Sequence, residues 1–149
     1  MARIEPDGIM GHAVLPDADE PVLAEFRAER MVYWKAHLVM AVVLGTVAGL
    51  VLVWQGNPFP AAGPIGAAIA IAARAAWLAS EALSDRWLLT DRRLLGPAGR
   101  VIPLAQLRLA RPFLGAVQIV TLSGDKHLMK YLSDPQAAAR RILDAAGRR

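Results

Sequence analysis

The chain has 149 residues, 55% of them hydrophobic and 20% charged, with 17 Lys/Arg against 13 Asp/Glu and no cysteine. Mean hydropathy is +0.34 and the pI is near 10.1. A soluble domain ordinarily carries about 45–50% apolar and about 25% charged residues. Composition therefore excludes a disordered chain, and the lack of cysteine excludes a disulfide scaffold or a zinc–thiolate site.

Charge is divided unevenly along the chain. Residues 1–36 hold four Lys/Arg and seven acids, whereas residues 80–149 hold twelve and six. Between them lie two apolar runs whose only charge is Arg74. Residues 1–18 contain Pro, Gly and Asp with little periodicity and read as a flexible tail. From Asp19 the spacing of Val22, Leu23, Phe26, Arg30, Tyr33 and Trp34, after a helix-start signal of Asp19 or Glu20 before Pro21, predicts an amphipathic juxtamembrane helix over 19–36.

Residues 37–54 form an unbroken apolar run, flanked by Tyr33, Trp34 and Lys35 on one side and Trp54 on the other. A spanning helix needs about 20 such residues, and aromatic belts mark headgroup depth. The apolar run starts too late, behind too acidic a segment, for a cleaved signal peptide. The reading is an uncleaved anchor. After the uncharged link Gln55–Pro60, residues 61–80 supply a second, alanine-rich span. A central arginine costs about 2.5–3.5 kcal/mol on the translocon scale, so this helix needs the first beside it. Small residues at four-residue spacing, Ala41, Gly45 and Gly49 in one run and Gly66 and Ala70 in the other, are the candidate packing faces. Arg74 lies within snorkelling reach of the cytoplasmic headgroups. Lys/Arg flank both outer ends and none lies in the link, which places both termini in the cytoplasm.

Beyond residue 84 the period shortens to two. Arg86–Thr90, Leu94–Leu95, Arg100–Leu109, Ala116–Leu122 and His127–Leu132 read as strands separated by turns, with a chain break at Arg111–Gly115. Asp134 and Pro135 start a helix that Gly147 ends, with Ile142, Leu143 and Ala139 or Ala138 toward the sheet. The expected class is α+β: a two-helix transmembrane hairpin over 37–80, then a small antiparallel sheet over 84–147 closed by a C-terminal helix.

The segment Arg86-Trp87-Leu88-Leu89-Thr90-Asp91-Arg92-Arg93-Leu94 resembles the first hairpin of bacterial pleckstrin-homology-like (PH-like) membrane proteins. Ile102-Pro103-Leu104, Gly115 with Val117–Leu122, and Asp134-Pro135 follow in the same order. The resemblance covers residues 84–146, with a shortened turn at Pro97–Gly99. It implies a membrane-anchored, non-enzymatic module of the bacterial inner membrane, and it implies no catalytic residues.

Chemistry is hard to find by spacing. Gly96-Pro97-Ala98-Gly99 lacks the Lys and strand–loop–helix setting of a phosphate loop. Ser123, Lys126 and His127 are explained by a hairpin turn, and His12 and His37 are isolated. No cofactor, metal or nucleic acid is expected. Arg74, Arg86, Arg92, Arg93 and Arg100 are the candidate contacts, either for anionic lipid or for a protein partner. The leading expectation is an adaptor, accessory subunit or assembly factor of a larger inner-membrane complex, with a second copy of the chain as a possible partner. The alternative is a lipid sensor that reads anionic headgroups through its arginines.

Overall fold

The computed structural model describes residues 14–147. The elements, in order, are strand β1 (Val22–Arg27), helices α1 (Arg30–Trp54) and α2 (Ala62–Ser84), and strands β2 (Arg86–Thr90), β3 (Arg93–Leu95) and β4 (Val101–Pro103). A 3-10 turn (Leu104–Gln106) leads to β5 (Leu107–Phe113), β6 (Ala116–Thr121), β7 (Lys126–Met129) and helix α3 (Pro135–Ala145). These elements form two compact units. Glu29–Leu83 is one; the arm before it and the chain from Ser84 onward together make the other.

The expected amphipathic helix over 19–36 is not formed. Residues 22–27 are a strand, and helix begins only at Arg30. The apolar positions that suggested a helix also fit a period of two, with Ala24 buried and Phe26 half-buried while their neighbours are exposed. β2 decides between the two. Its open edge offers unpaired backbone groups beside the buried Trp87 and Leu89, and β1 supplies the ladder. Pro21 stands just before the strand, where its missing N–H costs nothing. Of the expected tail over 1–18, residues 1–13, with His12, lie outside the described residues. Residues 17–20 form a turn closed by Glu20 N–H to the Asp17 carbonyl at 3.0 Å.

The second unit is thus built from both sides of the helical pair. β1 runs antiparallel to β2, with Arg27 opposite Arg86 and Val22 opposite Thr90, and a bulge near Leu23. Four strands form one sheet in the order β1-β2-β3-β4, and three form another in the order β5-β6-β7. The sheet system is larger than residues 84–147 alone could supply. Its core is Trp87, Leu89, Leu94, Ile102, Leu104, Leu107, Val117, Ile119, Met129 and Ile142 with several alanines. Full burial of such side chains contributes roughly 1.5–3 kcal/mol each.

The alternation in β6 follows the sequence pattern: Val117, Ile119 and Thr121 point inward. α3 lies across β5 and β6, burying Ile142 as expected and both Ala138 and Ala139 where one of the two was expected, with Leu143 packed at the margin. Asp134 caps it by accepting from Ala137 N–H at 2.9 Å. The turn at Gly96 has a packing reason, since a Cβ there would lie 2.6 Å from Cζ3 of Trp87.

The chain does not break at Arg111–Gly115. β5 continues through Pro112, which sits opposite Val117. Proline is tolerated because β5 is an edge strand, where one N–H faces no partner. Leu114 and Gly115 form the two-residue turn, with φ of 48° and 78°. Positive φ at both central positions is the hairpin geometry that favours Asn and Gly, and leucine there costs roughly 1–2 kcal/mol.

The helical unit is packed by small residues. A Cβ on Gly45 or Gly49 would lie 3.2 Å from Pro64, and one on Gly63 would lie 2.8 Å from the backbone of Ala48. Ala41 lines an apolar cleft with Ala68 and Ala72. Three of the five expected packing residues, Ala41, Gly45 and Gly49, are therefore on the facing side. Gly66 and Ala70 are not: both are exposed, and a Cβ on Gly66 would meet open space. In an alanine-rich helix every face is small, so spacing does not single out the stripe of Gly63, Ala67, Ile71 and Ala75.

Replacing Leu114 with Asn, which tolerates the left-handed region, is expected to raise the unfolding free energy of the chain by about 0.5–1 kcal/mol. A thermal melt of the full chain in mild detergent reads this directly.

Candidate functional site

The most concentrated chemistry among the described residues lies where the arm meets the β2–β3 turn. Glu20 is 5% exposed, one of few buried charged side chains. Its carboxylate accepts from the Arg93 guanidinium, with Nε at 3.0 and 3.1 Å and Nη2 at 2.7 Å. The buried Thr90 hydroxyl donates to it at 2.5 Å, and the Asp17 N–H at 3.1 Å. Thr90 in turn accepts from the N–H of Arg93 at 3.0 Å and of Arg92 at 3.3 Å, which closes the turn. One carboxylate thereby fixes both the arm and the Leu-Thr-Asp-Arg-Arg hairpin.

This setting determines the charge states. The Arg93 hydrogen bonds, aided by those from Thr90 and the Asp17 N–H, outweigh burial and hold the Glu20 carboxyl at about 2, far below its ordinary 4.5. Glu20 in turn raises the pKa of Arg93. Glu25 is held low as well, first by the Arg27 hydrogen bond and then by the charges of Arg27 and Arg86.

All four acids of residues 17–25 meet an arginine. Asp17 reaches Arg93 at 3.0 Å and Asp19 reaches Arg92 at 3.3 Å, while Glu25 pairs with Arg86 at 2.9 Å and with Arg27 at 2.5 Å. The acidic arm and the basic segment after the helices, opposite in sign along the sequence, meet in space. Three of the five arginines expected to contact lipid or a partner are thus engaged within the protein. Arg93 is the most committed, its side chain only 25% exposed; Arg86 and Arg92 stay more than half exposed. Arg100 is exposed beside the β3–β4 turn, and Arg74 is exposed on α2.

In the helical unit the polar groups are also paired. The Tyr33 hydroxyl, in a side chain 1% exposed, donates to the Ala75 carbonyl at 2.7 Å. Buried His37 donates from Nδ1 to the Tyr33 carbonyl at 2.9 Å, and its ring lies 4.2 Å from that of Tyr33. Tyr33 is therefore a buried tie between the helices, and only Trp34 of the expected belt pair is substantially exposed, at 41%. The facing pairs Gly45 with Pro64, Ala48 with Gly63 and Tyr33 with Ala75 run antiparallel. On an α-helix rising about 1.5 Å per residue, that register sets Arg74 level with Trp34 and Lys35.

Ser123 hydrogen-bonds Asp125 at 2.6 Å and Thr121 at 2.7 Å, which accounts for the turn chemistry read from the sequence there. Two shallow clefts, of about 300 and 240 Å³, flank Arg141 where α3 passes β1, and they are lined by Phe26, Leu132 and Leu23 among others. No known family, curated protein or solved structure matches the chain.

Glu20 was legible only as a helix-start residue. The signal that locates it is the matching of acids at 17, 19 and 20 with the arginine pair at 92 and 93. Glu20→Gln is expected to cost about 1.5–3 kcal/mol, the worth of hydrogen bonds to a charged group. Because the folded pKa of Glu20 is depressed, its contribution is complete above about pH 4.5 and is lost as pH falls from there through 2. The gap in melting temperature between wild type and Glu20→Gln should therefore close on acidification through that window.

Proposed function

We propose that the chain is a non-catalytic adaptor, an accessory subunit or assembly factor of a larger membrane-protein complex, anchored in a bacterial inner membrane with a PH-like domain at the cytoplasmic face. Two observations support the anchor. α1 and α2 have windows of mean hydropathy 2.4 and 1.4, and only 11% and 6% of those windows are buried. The core helix of a soluble protein would be mostly buried instead. Basic residues Arg27, Arg30, Lys35, Arg74 and Arg86 belong to one end of the helical pair, whereas Gln55–Ala62 at the other end has no charge. That pattern supports a cytoplasmic location for this end, with Arg74 near headgroup level, where a long side chain can keep its charge in water.

The observation that carries the adaptor reading is the pairing of β1 with β2 across the helical insertion. One domain is closed by chain entering and chain leaving the anchor, so both crossings must emerge on the same side. A domain joined to its anchor through two adjacent strands, one from each side of the insertion, suits a docking platform. The antiparallel sheets closed by one C-terminal helix support the PH-like reading. Lipid sensing through Arg86, Arg92 and Arg93 is the weaker alternative, because each already has a carboxylate partner within the chain.

Extraction of tagged protein from its own membranes in mild detergent, followed by native mass spectrometry, tests the reading. A stoichiometric protein companion is expected. A stable monomer carrying only phospholipid would contradict the adaptor and favour the lipid sensor.

A further inference from the structure

The β5–β6 hairpin ends on the most exposed large apolar side chain among the described residues. Leu114 is 91% exposed and Phe113 beside it 44%. Nothing in the core needs them there, and Leu114 occupies a backbone conformation, φ 48°, that Asn or Gly would adopt at lower cost. Leu109, 39% exposed, adds to the same strand. The segment 107–122 carries Arg108 and Arg111 and no acid. Arg111 is steadied on the hairpin by Gln118, Nε to Oε1 at 3.0 Å.

An apolar tip with a basic shoulder has the composition that enters the lipid–water interface, the side chains among the acyl carbons and the cations at anionic headgroups. We propose that Phe113 and Leu114 insert into the anionic membrane surface as a second attachment, which fixes the orientation of the domain on the bilayer. This rests on the anchor reading above. That reading tethers the domain to a membrane through the chain itself, so a shallow insertion needs no high affinity of its own. The charges of the hairpin segment are arginines alone, which complements anionic headgroups, and the anchor supplies such a surface to every copy of the chain.

The natural chain has no cysteine, so a single nitroxide can be placed at Leu114→Cys, at Gln136→Cys on the exposed face of α3, or at Val47→Cys on α1. Each full-length protein is reconstituted in nanodiscs containing phosphatidylglycerol, and the label's accessibility to oxygen and to a water-soluble nickel chelate is compared. Position 114 is expected to give an oxygen-to-nickel ratio several-fold above that at 136, and lower than that at 47. The label at 136 controls for any affinity of the nitroxide itself. A water-like ratio at 114 with a lipid-like ratio at 47 would overturn the tip and leave the anchor standing. Water-like ratios at both would overturn the anchor as well. Shielding of 114 from both reagents would assign the tip to a protein surface and also refute the proposal. Leu114→Asn folds without the backbone strain, so loss of domain orientation in that variant, read as greater mobility of a label at 136, separates membrane engagement from stability. Unchanged mobility would count against the tip.

Discussion

A single carboxylate, Glu20, holds together a domain that the chain visits twice. Between the two visits it makes α1 and α2, so β1 must find β2 across an insertion of more than fifty residues. Closing so long a loop costs entropy that grows only slowly with its length, and the packing of α1 on α2 reduces that cost by bringing the ends together. What remains is register, since a shift by one residue would turn Ala24 and Phe26 away from the core. Glu20 settles it by bonding Arg93 and Thr90 on the far side of the insertion, next to the position where Val22 faces Thr90. A buried carboxylate with this many donors is stable as an anion. Removing its partner would leave it uncompensated.

The same constraint shapes the helical pair. The two helices must return the chain to the point it left, so close packing near the link is useful, and the glycines and Pro64 provide it. At the other end Tyr33 ties α1 to the Ala75 carbonyl, giving a directional contact where the small side chains give none. The register that follows removes the apparent difficulty of Arg74. By sequence it lies in the middle of an apolar run, yet across the pair it is level with Lys35, and the last turns of α2 continue beyond that level. The apolar part of α2 facing α1 is thus shorter than the helix itself, which suits its modest hydropathy.

Elements whose signals are local were legible from the sequence. The α1 run, the alternation in β6, the Ser123–Lys126 turn and the Asp134–Pro135 helix start each depend on neighbours within a few residues, and each is found in place. The failures share a different cause. Val22–Arg27 satisfies both a helical and a strand period, and the choice is made by the edge of β2, about sixty residues away. Pro112 reads as a break unless the strand is known to be an edge. Gly66 and Ala70 match a packing stripe as well as Gly63 and Ala67 do, because nothing in an alanine-rich helix says which face has a neighbour. The arginines at 86, 92 and 93 read as contacts for lipid or a protein partner, and spacing alone does not show the arm carboxylates that also pair with them. In each case the missing information was the tertiary partner.

The most direct test is hydrogen exchange of the full chain in nanodiscs, wild type against Glu20→Gln, followed at the backbone amides of residues 22–27 and 86–90. If the arm is an integral strand clamped through Glu20, both segments are protected in the wild type and both lose protection together in the variant. Fast exchange of 22–27 in the wild type while 86–90 stay protected would contradict it, and would return the arm to a loose leader before the helices.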